Sequence, residues 1–336
     1  MDFEYSAEQE MLRAAAHDWC QKRFPFDRVA RLADSADIGA EAASAFDEMN
    51  ELGWIDAALA GVTEAAILLE ECAYVLAPTP FFVSVALAAP FGADPRVPTT
   101  LAWAEPGRLS LGDQNRTTVD SRGRVTGCKT LVPDLAITTH AVVTAQGSRP
   151  RLVQISDADM VPRPSLDGTR RLGDLILDGA PSEELPTVEL NHARSRVLAL
   201  AAAECLGIAQ KVFDQAVEHA RAREQFGRPI GSYQAISHRL ANIYTKTQLA
   251  RSLVAWACWA IDADDPNSLL AALAAKAEAG GAAIAACEGA IQVHGGIGFT
   301  WESSLHRYYK RAQWLSALDG GPARQRAAIA DAVLKP

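Results

Sequence analysis

The C-terminal part of the chain holds two long segments of helical periodicity, "ARSRVLALAAAECLGIAQKVFDQAVEHARAREQF" and "SYQAISHRLANIYTKTQLARSLVAWACWAIDA". Helices of that length bury an apolar stripe most readily against one another. Alanine favours this twice, through its helix propensity and by letting neighbouring axes approach, as in "AALAAKAEAGGAAIAACEGA". A third segment runs from about Ser268 to His294, and a last helix follows Pro322. Residues 191–336 are therefore expected to form a four-helix bundle.

The two earlier regions differ in texture. Residues 1–93 read as helical. "SAEQEMLRAAAHDWCQKRF" opens with Ser6 and has Gln9 three positions on, the capping-box pattern, and then aligns Leu12, Ala15, Ala16 and Trp19 on one face. "SAFDEMNELGW" repeats that logic up to Gly53, and "TEAAILLEECAYVL" makes a third helix closed by the prolines of "APTPFF". Residues 97–190 are short Val, Ile and Thr-rich runs broken by Gly, Asp and Pro, with "DSRG" as a hairpin turn. The expected fold is α+β, mainly α: an N-terminal helical domain (1–93), a small middle antiparallel β domain (97–190) and the C-terminal four-helix bundle.

Composition excludes several functions. A net charge of −9 with no long basic run offers no cationic face for nucleic acid. The six cysteines (Cys20, Cys72, Cys128, Cys205, Cys258, Cys287) form no C-x-x-C pair; most read as small buried apolar residues in a reducing compartment. A bilayer-spanning run of about 18 apolar residues is not expected, nor a charged start followed by an apolar leader. The expectation is a cytoplasmic protein without membrane association.

Two segments carry chemistry. "AREQFGRPIGSYQAISHRLA" (222–241) resembles the R-x-Q-F-G-x-P-I-x-x-x-Q segment of the acyl-CoA dehydrogenase family. "AIQVHGGIGFTWESSLHRYYKRA" (290–312) resembles that family's Q-x-H-G-G-x-G-[FY] signature, and "LAWAEPG" a fragment of the element that opens its β domain. The resemblance covers the whole chain, is strongest beyond residue 190, and implies FAD as cofactor and an acyl-CoA thioester as substrate. It places the two segments across a dimer interface, on the adenine and pyrophosphate half of a partner's flavin. Arg223 is then a planar cation for phosphate, Phe226 an apolar surface, and Gln225, Gln234 and Gln292 hydrogen-bond donors. Gly295 and Gly296 give backbone N–H groups close access to phosphate.

Three departures from the family pattern stand out. After "EPG" the chain continues "RLSLGDQN" where small residues holding flavin and substrate are usual. After "GCK" comes Thr130 and then Leu131, Val132 and Pro133 where Trp-Ile-Thr packs on the flavin ring, and proline has no N–H to offer. The chain is also shorter than typical members. Asp319 falls where many members carry a catalytic glutamate; it is also a helix-ending acid before Gly320 and Gly321. No other candidate base lies between Leu240 and Ile261, which contains no acid, and Arg251 there matches an arginine near the family active site. Aspartate is shorter by about 1 Å, a misplacement that can cost about a hundredfold in rate.

The pattern resembles the shorter subunit of heterotetrameric (α2β2) bacterial acyl-CoA dehydrogenases of steroid side-chain degradation. It implies a subunit that lends the ADP side of a shared FAD site to a homologous partner, acting on a bulky steroid-type CoA ester with an electron-transfer flavoprotein as acceptor. The alternative is a self-sufficient homo-oligomeric dehydrogenase with Asp319 as its base.

Overall fold

A computed structural model describes residues 4–334. Five helices come first: α1 (Ala7–Arg23), α2 (Phe26–Asp34), α3 (Gly39–Glu51), α4 (Trp54–Ala60) and α5 (Val62–Tyr74). Ser6 caps α1 as its sequence predicts, its hydroxyl accepting from the Gln9 N–H while the Gln9 side chain accepts from the Ser6 N–H. Gly53, at φ 76°, ends α3 and opens α4. A π-helical stretch, Val83–Ala88, follows α5. Short helices such as α2 and α4 have too few turns to show a clear period in sequence.

Eight strands come next: β1 (Thr99–Ala102), β2 (Thr118–Val119), β3 (Val125–Pro133), β4 (His140–Val143), β5 (Arg151–Gln154), β6 (Asp159–Arg163), β7 (Leu172–Ala180) and β8 (Glu183–Glu184). They make two four-stranded sheets, ordered β1-β4-β5-β8 and β2-β3-β7-β6. All pairs are antiparallel except β1 with β4. The "DSRG" turn joins β2 to β3, with the Asp120 carboxylate accepting from the N–H groups of Arg122 and Arg124 and Gly123 at φ 75°. The C-terminal part holds α6 (Leu190–Ala222), β9 (Glu224–Gln225), β10 (Arg228–Pro229), α7 (Gln234–Asp262), α8 (Ser268–His294), α9 (Leu305–Ala317) and α10 (Gly321–Leu334).

The chain packs as two compact units. One comprises the residues up to Arg31, Ala66–Ala77 and Leu198 onward. Its centre is α8, sixteen of whose residues are buried, mostly alanines. α5 and α6 touch backbone to backbone: a Cβ on Gly207 would sit 2.1 Å from the Glu70 carbonyl oxygen, so only glycine fits. A buried ion pair, Arg311 Nη1 to Glu204 Oε1 at 2.9 Å, ties α9 to α6. By length and composition α8 could cross a membrane, against the expectation that no such run exists. Yet 61% of its most apolar stretch is buried in the protein, as befits the core helix of a bundle.

The second unit comprises Leu32–Ala65 and Pro78–Val197. Its sheets enclose an apolar core that includes Val125, Val132, Val143, Val153, Leu175 and Leu177. Beside it lies a buried polar centre. Lys129 has no exposed surface, and its ammonium donates to Glu105 Oε1 and Asn115 Oδ1, both at 2.8 Å. Glu105 also accepts from the Thr117 hydroxyl and from the N–H groups of Thr117 and Arg116. Burial alone would raise this carboxyl; the bonds from Lys129 and Thr117 outweigh it and hold its pKa at about 2. Five of the six cysteines are buried and Cys128 is half-buried, all as free thiols.

The Lys129–Glu105 pair generates a stability prediction. Lys129→Met strands Glu105 as a buried charge and is expected to cost about 3–5 kcal/mol at neutral pH in a denaturant titration. Because the folded carboxyl titrates well below its ordinary 4.5, the stability it confers is full above that pH and is lost as pH falls toward 2. The difference between wild type and variant should therefore narrow below about pH 4.5. A variant as stable as wild type at pH 7 would contradict this account.

Candidate cofactor-binding site

The residues expected to contact a cofactor lie at the ends of the long helices. α6 stops at Ala222, and β9 and β10 then fold into a minimal hairpin with Gln225 opposite Arg228. Its two-residue loop is Phe226-Gly227, both at positive φ (54° and 80°), the requirement of a tight I′-type turn. Glycine meets it freely, but phenylalanine is strained there by roughly 1–3 kcal/mol. The Tyr233 hydroxyl donates to the Gln225 carbonyl at 3.0 Å, and Arg228 lies 4.1 Å over the Tyr233 ring, fixing the hairpin from below. Phe226 is 94% exposed. Arg223, Gln225, Gln234, Gln292, Gly295 and Gly296 are exposed as well.

The second segment turns off the end of α8. Gly295 has φ 65° and ψ −140°, a conformation for glycine alone, and nothing lies within 4 Å of where a Cβ on Gly295 or Gly296 would be. Just upstream of the hairpin and of this turn lies a pair of histidines that the sequence alone does not connect. The imidazoles of His219, on the last turn of α6, and His294, on the last turn of α8, stack with centroids 4.2 Å apart and planes 19° apart. Gln292 lies farther back, lining a groove of about 600 Å³ between α7 and α8 with His238, Arg239, Asn242, Lys246 and Glu288.

Asp319 sits elsewhere. It lies in a short turn between α9 and α10 at φ 57° and ψ 39°, with Gly320 and Gly321 also at positive φ. It is 1% exposed. Near it is Lys276 of α8, fully buried, whose ammonium donates to the Ser316 carbonyl at 3.4 Å. Burial lowers the pKa of Lys276, and Cys205 and Asp319 oppose that. Gln325 closes the turn by donating to the Leu318 carbonyl. The helix-stop geometry is thus present in full.

Arg251 is committed too. Its two guanidinium nitrogens meet the two carboxylate oxygens of Glu70, each at 2.8 Å, a bidentate pair. Arg13 and His17 hold the adjacent Glu71, at 3.2 and 2.7 Å. These groups line a polar cavity of about 520 Å³ with Tyr74, Gln210, Asp214 and Gln248. Arg251 and Asp319 are engaged by different partners.

The β unit holds the remaining candidate surface, the strand that follows "GCK". β3 loses its register with β7 between Lys129 and Val132, and Leu131 takes φ 54°. The bulge is held by Asp174 of β7. One Asp174 oxygen accepts from the Thr130 hydroxyl at 2.8 Å and the Leu131 N–H at 3.3 Å; the other accepts from Arg163. The Arg163 guanidinium, ahead of burial and the other donors, keeps the Asp174 pKa below its usual range. Along this edge the Leu131 N–H is occupied, and Pro133 has none.

Comparison with known proteins places this geometry. Residues 186–334 match the family described as acyl-CoA dehydrogenase, C-terminal domain. The acyl-CoA dehydrogenase IpdE2 of Mycobacterium tuberculosis (strain ATCC 25618 / H37Rv) is 34% identical over 274 residues, 81% of this chain and 77% of that protein. IpdE2 of Mycolicibacterium smegmatis (strain ATCC 700084 / mc(2)155) is 33% identical over 79% of this chain and 76% of its own. In fold, the chain is similar to the ChsE4-ChsE5 complex from Mycobacterium tuberculosis (TM-score 0.88, 22% identity, all of both chains). It is also similar to the Tcur3481-Tcur3483 steroid ACAD G363A variant (TM-score 0.86, 23% identity, 98% of each).

The strained, exposed Phe226 predicts a dissociation of stability from function. Phe226→Gly relieves the left-handed strain but frees the unfolded chain, so stability should stay within about 1 kcal/mol of wild type. A thermal melt checks this; a larger loss would mean that the ring supports the fold.

Proposed function

The chain belongs to the acyl-CoA dehydrogenase family, whose members are FAD-dependent oxidoreductases, and from that premise we propose that it serves as a half-site subunit. It lends the adenosine-pyrophosphate side of a flavin site to a homologous subunit that supplies the ring side and the catalytic base. The observation that carries this reading is an imbalance between two surfaces of one chain. On the bundle, Arg223, Gln225, Phe226, Gln234, Gln292, Gly295 and Gly296 all stand exposed around a hairpin and a glycine turn. On the β unit, the strand edge expected to meet the flavin ring has one N–H taken by Asp174 and another removed by Pro133.

The side chains suit the ADP end of FAD. Arg223 would pair with the pyrophosphate, the Gly295-Gly296 backbone would approach it where no Cβ intervenes, and Phe226 would cover an apolar face. Gln225, Gln234 and Gln292 would donate hydrogen bonds. Bound FAD supplies the acceptor for the hydride leaving the β-carbon of an acyl-CoA. The chain's own work is to bind and orient it.

The substrate is a bulky, steroid-type acyl-CoA, and the working form is a heterotetramer with an electron-transfer flavoprotein as acceptor, in the cytoplasm. Support for the substrate and the mixed assembly comes from the fold shared with a steroid ACAD and with the ChsE4-ChsE5 complex. In this reading Asp319 is a helix stop set against Lys276, and Arg251 a structural partner of Glu70.

Substitution within the assembled complex tests the assignment. Arg223→Ala removes a charge-assisted contact to phosphate and is expected to weaken flavin retention roughly tenfold or more. Asp319→Asn should leave turnover within about twofold of wild type, whereas loss of a true general base would cost about a hundredfold or more. Full flavin retention in Arg223→Ala would overturn the half-site assignment, and a hundredfold loss in Asp319→Asn would make this chain its own catalyst.

A further inference from the structure

The half-site needs two pieces of chain, remote in sequence, to stay in register. One is the Arg223–Gly227 hairpin at the end of α6, the other the Gly295-Gly296 turn at the end of α8. The hairpin rests on Tyr233 rather than on the glycine turn, and both stand exposed. The last turn of each helix, however, carries one half of the His219–His294 stack. Each histidine is also tied by its own helix to the residues that follow. The Arg223 N–H donates to the His219 carbonyl at 2.8 Å, and the Ile230 N–H closes the hairpin onto the Arg223 carbonyl at 2.8 Å. On the other side, His294 Nδ1 lies 2.8 Å from the Ala290 carbonyl, which can only accept, so Nδ1 bears the proton and the ring orientation is fixed. Gly295 is the next residue.

We infer that His219 and His294 are positioning residues, a stacked clasp that sets the spacing between the Arg223 guanidinium and the Gly295-Gly296 backbone. The inference rests on the half-site reading. Both rings are half-buried and line a cavity of about 490 Å³ together with Gln215, Glu218, Glu302 and Ser304. An aromatic pair of this kind holds two elements with a definite orientation, which a contact between aliphatic side chains would not impose. Burial, followed by the neighbouring His294 and Arg223, lowers the pKa of His219, in keeping with a neutral ring facing its partner.

The experiment uses the complex of this chain with its homologous subunit, stripped of flavin and titrated with FAD by fluorescence quenching. His219→Ala and His294→Ala should each raise the Kd for FAD roughly three- to tenfold, the worth of one aromatic pair. Turnover per bound flavin should not change, and the melting temperature of the apo complex should fall by no more than a few degrees. His219→Phe and His294→Phe, which keep a ring in place, should restore wild-type affinity. Alanine variants that bind FAD like wild type would overturn the clasp. So would phenylalanine variants as weak as alanine, or a fall in turnover per bound flavin. Arg223→Ala in the same titration separates the two levels: if it leaves the Kd unchanged, the half-site reading fails, whatever the histidines do.

Discussion

Close packing on alanine is the constraint from which the C-terminal unit follows. With Ala271, Ala272, Ala275, Ala279, Ala282, Ala283 and Ala286 buried along α8, its neighbours approach near backbone contact. A buried pair in this interior, Arg311 with Glu204, is matched directly, since an unmatched buried ion would be costly. Such a bundle presents its chemistry at helix ends, where glycine and turn residues free the backbone. The hairpin after α6 and the turn after α8 are both such ends.

The β unit tells the complementary half. A strand offers a ligand its unpaired N–H groups, and β3 has few left along the segment after Lys129. Pro133 removes one chemically; Asp174 removes another by accepting from Leu131 and is itself held by Arg163. Thr130 gives its backbone N–H to the Ala104 carbonyl and its hydroxyl to Asp174. A surface so fully satisfied by its own chain is suited to structure rather than to holding a polar ring.

Much of this was legible in sequence because it is local. The capping box at Ser6 and Gln9, the "DSRG" turn and the long C-terminal periodicities each depend on residues a few positions apart, and each forms. The two family motifs could be read for the same reason. What stayed hidden depends on distance along the chain. Asp174 meets Leu131 across 43 residues and Arg251 meets Glu70 across 181, and no pattern near either residue announces it. The stack of His219 on His294 is of this kind: neither histidine is unusual in its own helix. The left-handed Phe226 was hidden differently, because a phenylalanine gives no conformational warning where an Asn or Gly would. The apolar α8 was missed as a possible span because its hydropathy is spread over alanine rather than concentrated in large residues.

Flavin stoichiometry tests the central claim most directly. The chain would be purified alone and together with a homologous acyl-CoA dehydrogenase subunit, and FAD per polypeptide measured from the visible spectrum after gel filtration. A half-site subunit is colourless alone and yields about one flavin per pair of unlike subunits in the complex, because each site needs both. A lone chain that emerges yellow with one FAD per polypeptide would contradict the account.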